Sequence, residues 1–349
     1  MIVVVGAGGF IGSYLVDTLV GEGFDLVAAD ISDVAREHYD SLGVPFVRLD
    51  ITRREDFDAL PSSGVEAVVH VACLQPVDVS EEAYDPMGYV RVNVIGTLNI
   101  LEYCRGAGVG TVVYTISHRG VQALWDKGDV ITEEVTQALK YAGDYAMYAI
   151  SECAASDCVR HYAEKHGLRG VILRLPPVYG YGPHFQGYRE GKPVKAGFSV
   201  FIDKAIGGET IELWGDVDCA RDIIYVKDVV TAIVMVLRNE DARGLYNIAS
   251  GVKTSLRRQA EETVEVFTGE NGRSSLVYRP ELPNQVESFI YDISKAKREL
   301  GWSPRYGLRE MFQDIKVEME SRRFEYLVEG REKKMTSEKM HGGREGEGG

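Results

Sequence analysis

The residue types and spacings that could do chemistry fall in three places. Gly6, Gly9 and Gly12 directly follow the apolar, mostly β-branched run Ile2 to Val5 and lead into a helix-compatible stretch, Ser13 to Val20. A strand, a glycine turn and a helix start make a dinucleotide site. Gly6 permits the tight turn, Gly9 lets the backbone approach a pyrophosphate, and Gly12 lets helix and strand pack closely. Phe10 and Ile11 stand at the helix start, whose unpaired N–H groups face the anion. A second apolar run, Leu26 to Ala29, ends in Asp30, about 20 residues on, where a carboxylate holds a ribose 2′-OH. That carboxylate repels a 2′-phosphate, so the expected cofactor is NAD rather than NADP. Ser117 lies just past the strand-like run Thr111 to Tyr114, at the carboxyl edge where open α/β sheets place ligands. Tyr148 and Glu152, at i and i+4 within the helix-compatible stretch Ala142 to Val159, share one helix face. His118 is a candidate base near neutral pH or a solvent-facing loop residue. Tyr145 is a second acid or a packing aromatic. Lys140, about two turns before Tyr148, could bring a positive charge if the chain folds back.

These groups need a scaffold, and the apolar runs describe one. Strand-like segments at 46–49, 67–71, 111–114 and 170–174 alternate with helical stretches, which implies right-handed βαβ crossovers and a parallel sheet covered on both faces. The expected fold is α/β: a doubly wound Rossmann domain over 1–176 with a returning segment near 222–240, and a smaller α/β substrate domain from 177–221 and 241–325. Helices are expected at Phe198 to Ile206, Val229 to Leu237 and, last, Ser294 to Leu300. The polar residues 326–349 read as a disordered tail.

Composition narrows the partners. With 39 Lys and Arg against 53 Asp and Glu, the net charge is −14, and no basic patch offsets phosphate repulsion, so no nucleic-acid partner is expected. There is no signal-peptide pattern and no run of about 18 apolar residues, so neither a membrane nor an export route is expected. The five cysteines, Cys73, Cys104, Cys153, Cys158 and Cys219, lack C-x-x-C spacing. They read as reduced thiols of a cytoplasmic protein, with no metal site.

The motifs, taken in order, resemble those of the extended short-chain dehydrogenase/reductase family, in its nucleotide-sugar epimerase and dehydratase branch. Besides the glycines, Asp50-Ile51 resembles the family's adenine-contacting pair, His70-Val71-Ala72 its post-strand cofactor turn, and Asn93 its helix asparagine. Leu173-Arg174 with Val178-Tyr179-Gly180 is similar to its segment near the nicotinamide, which brings in Pro176 and Val178. RDIIYVKDVV from Arg221, YNIASG from Tyr246 and DISKAKRELGWSP from Asp292 resemble later blocks. The resemblance spans about residues 1 to 315. It implies NAD as cofactor, a nucleoside diphosphate sugar as substrate, a homodimer, Tyr148 as proton acceptor and Ser117 as the hydroxyl that polarises the same oxygen. Cys73, after the cofactor turn, either touches substrate or is a buried small residue. Arg221 matches a position that contacts the diphosphate, with an ion pair to Asp222 or Asp228 as the alternative, and Arg279 is a possible assistant.

Two positions depart from the family pattern. Pro177 stands where a sugar-contacting Asn is common, and Glu152 stands where the family has a Lys. An unperturbed Tyr has a pKa of about 10 and becomes a base near neutrality only beside positive charge. A carboxylate raises that pKa, so Glu152 is expected to be a ribose ligand or an unusual acid/base; the alternatives are an NAD(P)-dependent dehydrogenase or reductase of a smaller hydroxyl compound, which Pro177 allows, and a dinucleotide-binding protein without turnover, which Glu152 allows.

Overall fold

The structure is a computed structural model of the 349-residue chain; it describes residues 1–76, 84–182, 186–189, 192–195, 197–284 and 286–327. Seven strands form the main sheet: β1 (Ile2–Val5), β2 (Leu26–Asp30), β3 (Phe46–Arg48), β4 (Ala67–His70), β5 (Thr111–Ser117), β6 (Arg169–Leu175) and β7 (Gly244–Asn247). Their order is β7-β6-β5-β4-β1-β2-β3, with every neighbouring pair parallel. The order turns between β1 and β4, which opens a crevice at the carboxyl ends of those strands.

The two faces are sorted by residue parity, as a pleated strand requires. Val4, Ala28, Val69, Val113 and Val171 belong to one buried cluster, and Val3, Val27, Val68, Val112 and Ile172 to the other. Helices α1 (Phe10–Gly21), α4 (Phe198–Gly207), α5 (Val226–Arg238), α6 (Leu256–Phe267) and α7 (Leu308–Glu320) supply the first cluster. Helices α2 (Thr97–Ala107) and α3 (Ala146–His166) supply the second, through Ile100, Leu101, Cys104, Ala155 and Val159. One apolar cluster therefore runs from under the glycine turn into the C-terminal helices.

Several boundaries differ from those expected. The returning segment does not stop near 240, because Gly244–Asn247 pairs with β6 as the edge strand of the main sheet. α3 begins at Ala146 rather than Ala142, after Gly143 at φ +96°, a value that breaks a right-handed helix. The Ser294 to Leu300 segment ends in a π-helical turn, Ala296–Leu300, and α7 follows it. The expected tail starts no earlier than 328. Tyr326 and Leu327 pack on the first cluster, Leu327 being 1% exposed, and residues 328–349 lie outside the described residues. Among the described residues no helix is long and apolar enough to cross a membrane, and no group of three or more His, Cys, Asp or Glu could hold a metal ion.

The glycine turn is held by close contact. Gly6 has φ +89°, and a Cβ there would lie 2.6 Å from the Ala72 amide nitrogen. A Cβ on Gly12 would collide with the Gly6 carbonyl oxygen and approach the Ala7 Cα to 2.8 Å. Gly12→Ala is therefore expected to destabilise the fold by about 1–3 kcal/mol through overpacking. Urea denaturation checks this, and an unchanged midpoint would count against so tight a contact.

Candidate functional site

The crevice between β1 and β4 presents a cradle for a dinucleotide. Gly9 stands at the N-cap of α1, where it makes no side-chain cap hydrogen bond, at the end of the helix that favours an anion. Asp30, at the end of β2, accepts from the Gly8 N–H at 2.9 Å through Oδ2 and from the Ser32 N–H at 2.9 Å through Oδ1, so its carboxylate is fixed beside the turn. Asp50 accepts from both the N–H and the hydroxyl of Thr52, at 2.9 and 2.7 Å. Ile51 packs where a Cβ on Gly96 would lie 2.6 Å away. Val71 donates its N–H to the Val5 carbonyl at 3.0 Å, which carries Ala72 against Gly6. Phe10 and Ile11 are half-buried at the start of α1, and the Phe10 ring lies where a Cβ on Gly180 would approach it to 2.8 Å. Pro176 is buried just past β6, and Val178 is half-buried in a short strand paired with Ile224. A tight glycine turn, an uncapped helix start and a fixed acidic side chain fit an adenine dinucleotide.

Asn93, placed by resemblance among the cofactor-binding residues, bonds to its protein neighbours. It sits in the π-helical turn Val90–Gly96, is 1% exposed, and spends its amide on neighbours. Oδ1 accepts from the Leu74 N–H at 2.7 Å, and Nδ2 donates to the Leu74 carbonyl and the Ser151 hydroxyl at 3.2 and 2.9 Å. Asn93 thus ties the loop after β4 to α3 rather than facing the cradle.

Ser117, Tyr148, Glu152 and Cys73 converge beside that loop. Ser117 ends β5 and caps the short helical turn that follows; its Oγ accepts from the Arg119 N–H at 3.2 Å. Its own N–H donates to Oε2 of Glu152 at 3.0 Å, across from β5 to α3. The Tyr148 phenol lies within interaction range of the side chains of Ser117, Glu152 and Cys73. Burial, and then the adjacent Glu152 carboxyl, raise the Tyr148 phenol well above its ordinary value. Burial pushes Glu152 up to about 8 against the pull of the Ser117 N–H and the Tyr148 hydroxyl. Burial likewise pushes the Cys73 thiol up to about 12, so it is not a nucleophile near neutrality. Lys140 brings no charge here, because its Nζ pairs with Glu287 at 3.2 Å.

His118 packs rather than titrates. Its ring stacks on Trp125 and Phe289, with centroids 5.2 and 5.5 Å away, and Nδ1 donates to the Leu175 carbonyl at 3.3 Å. Burial, with Arg119 and Arg221 nearby, holds it well below the usual imidazole range, which makes it a weak base. Tyr145 is also a packing aromatic: the Arg119 guanidinium lies 3.8 Å over its ring centroid.

The charge beside this cluster is positive. Arg221 lies in the short strand Ala220–Asp222, its Nε is buried without a hydrogen-bond partner, and no ion pair reaches it among the described residues. The two carboxylates weighed as its partners are engaged elsewhere. Asp222 accepts from Ser250, Gly251 and Tyr291, and Asp228 from the N–H groups of Arg305 and Tyr306. Arg279 is not free in this way, since it bonds Glu212 at 3.2 Å on the strand Leu276–Arg279. Arg174 is 1% exposed and holds the 132–136 segment through the carbonyls of Thr132, Val135 and Thr136. The residue that sequence reasoning missed is Arg119. Its guanidinium rests between Tyr145 and Trp125 with no carboxylate bonded to it among the described residues, within electrostatic reach of Arg221 and Tyr148. Its place two residues after Ser117 was visible, but only the folded turn sets it against those rings.

Comparison with known proteins supplies a family and a fold. The sequence model of the NAD dependent epimerase/dehydratase family matches residues 2–249. A putative UDP-glucose 4-epimerase of Methanocaldococcus jannaschii is 28% identical over 314 residues, covering 89% of this chain and 95% of that protein. UDP-glucuronic acid decarboxylase 1 of Arabidopsis thaliana is 26% identical over 318 residues, 88% of this chain and 67% of that one. The crystal structure of UDP-glucose 4-epimerase with UDP-glucose from Thermotoga maritima has a TM-score of 0.76 and 25% identity, over 92% of this chain and 98% of its own. The glycine cradle, the fixed Asp30 and a family match over most of the chain lead to one assignment: the chain belongs to the NAD-dependent epimerase/dehydratase family.

Proposed function

We propose that the protein oxidises one hydroxyl of a nucleoside diphosphate sugar and later returns the hydride to the same bound sugar, as an epimerase or as a dehydratase. The observation that carries this is the approach of Ser117 and Tyr148 at the carboxyl end of β5, beside two guanidinium groups that have no carboxylate bonded to them among the described residues. When bound, NAD supplies the hydride acceptor and donor. Gly6, Gly9 and Gly12 with the start of α1 hold its pyrophosphate, Asp30 its ribose and Asp50-Ile51 its adenine. Ser117 orients the reacting oxygen, Tyr148 exchanges its proton, and Arg221 binds the diphosphate, for which a planar guanidinium is apt. In this reading 1–176 and β7 hold the cofactor, and the segments on either side of α5 cover the sugar nucleotide.

Two further parts belong to the reading. A homodimer is supported by the family assignment, and a cytoplasmic location by five free cysteines.

The direct test is conversion of UDP-glucose and related nucleoside diphosphate hexoses, followed by chromatography with NADH absorbance monitored. An epimer or dehydrated keto sugar without net NADH is expected; if no sugar nucleotide in the panel is bound or converted, the substrate assignment fails. Arg221→Ala should weaken UDP binding about 10-fold or more by calorimetry, the scale of hydrogen bonds to a charged group. Asp30→Ala should narrow the preference for NAD over NADP, read as the ratio of the two dissociation constants.

A further inference from the structure

The cluster that would move the substrate proton contains no cation in the place where the family pattern has one. Glu152 stands there, 3% exposed, its Oε2 taking the Ser117 N–H at 3.0 Å and its carboxyl within interaction range of the Tyr148 phenol, four residues earlier on α3. The groups facing it come from three elements. Tyr148 and Cys153 lie on α3 with it, Tyr114 on β5, and Cys73 on the loop after β4. All four are tyrosines or thiols raised by burial, so all are neutral at physiological pH. Arg119 stands within reach of Tyr148 beyond them.

A phenolate at Tyr148 would therefore sit in a buried site beside a carboxyl group, with no ammonium beside it among the described residues. The Tyr148 oxygen needs no negative charge if its own proton has somewhere to go. We infer that Tyr148 is a relay and that Glu152 is the terminal proton acceptor of the reaction. This rests on the proposed function and deepens it.

The step balances without an ionised phenol. As the sugar carbon is oxidised by loss of a hydride to the dinucleotide, the hydroxyl O–H bond breaks and its proton bonds to the Tyr148 oxygen. The Tyr148 O–H bond breaks in the same event, and that proton bonds to the Glu152 carboxylate. The carbonyl product, a neutral Tyr148 and a protonated Glu152 result. Reduction of the ketone runs the same transfers backwards. The Ser117 N–H fixes one oxygen of the carboxylate, so the Ser117 main chain positions the acceptor while its hydroxyl positions the substrate.

Two measurements test this, one without turnover. Burial raises Glu152 from 4.5 to about 8, so the folded state is favoured with the carboxyl protonated, and that stability is lost as pH rises through about 8. In cofactor-free protein, Glu152→Gln should gain thermal stability over the natural chain progressively between about pH 4.5 and 8 and level off above. In single-turnover hydride transfer, the natural enzyme should speed up about tenfold per pH unit on the acid side of about 8 and then plateau. Glu152→Gln should lose that limb and fall about 100-fold or more, while keeping NAD affinity. Tyr148→Phe should fall similarly yet keep the pH-dependent stability. A flat stability difference, or a Glu152→Gln enzyme with natural rate and pH profile, overturns the relay. If no sugar nucleotide is turned over by the natural enzyme while the stability curve still bends near pH 8, the proton site stands and only the substrate reading fails.

Discussion

How near α1 comes to the end of β1 sets the geometry of everything at the carboxyl edge of the sheet. The approach is possible only because no side chain stands between Gly12 and the Gly6 carbonyl, or between Gly6 and Ala72. With the helix drawn in, its N-terminus points along the crevice where the strand order turns, and Asp30 reaches the Gly8 N–H. The same contact fixes Ala72 and so the loop after β4, which Asn93 anchors from the other side through Leu74. That loop carries Cys73 to Tyr148. A packing constraint at the cofactor end is thereby transmitted to the reacting end through a few short contacts.

At the reacting end, the electrostatics follow from what is buried. Tyr148, Tyr114, Cys73 and Cys153 are all held in their neutral forms by the surrounding apolar atoms, and Glu152 among them is pushed toward neutrality as well. Positive charge borders this cluster on Arg119, which interacts with both Tyr148 and Arg221. The rings of His118, Trp125 and Phe289 stack on one another beside it.

What the sequence made legible was what depends on local spacing. The glycines, Asp30 and the apolar runs of β1 to β6 could be read because a strand, a turn and a helix start leave a short, ordered signature. Ser117 and Tyr148, 31 residues apart in number, could be paired only through the family resemblance. The parts that escaped are set by tertiary contact. Arg119 gains its place from Tyr145 and Trp125, His118 is turned inward by the Leu175 carbonyl, and Asn93 spends its amide on Leu74. β7 was missed because four residues between two helices carry too little pattern to distinguish a sheet edge from a loop.

The position of β7 also bears on how the chain assembles during synthesis. Strands β1 to β6 are complete by Leu175, whereas the strand that covers the open edge of β6 begins at Gly244. Until it arrives, β6 exposes a row of unpaired backbone groups, the kind of edge to which another chain can add. Arg174 shares this delay: the carbonyls of Val135 and Thr136 are available early, but the Asn247 side chain that completes its shell at 3.2 Å comes with β7. α5, which packs beside α1, emerges in the same interval. The open edge of β6 is thus closed by a strand that lies about 70 residues later in the chain, and long-range closure of this kind is intrinsically slow.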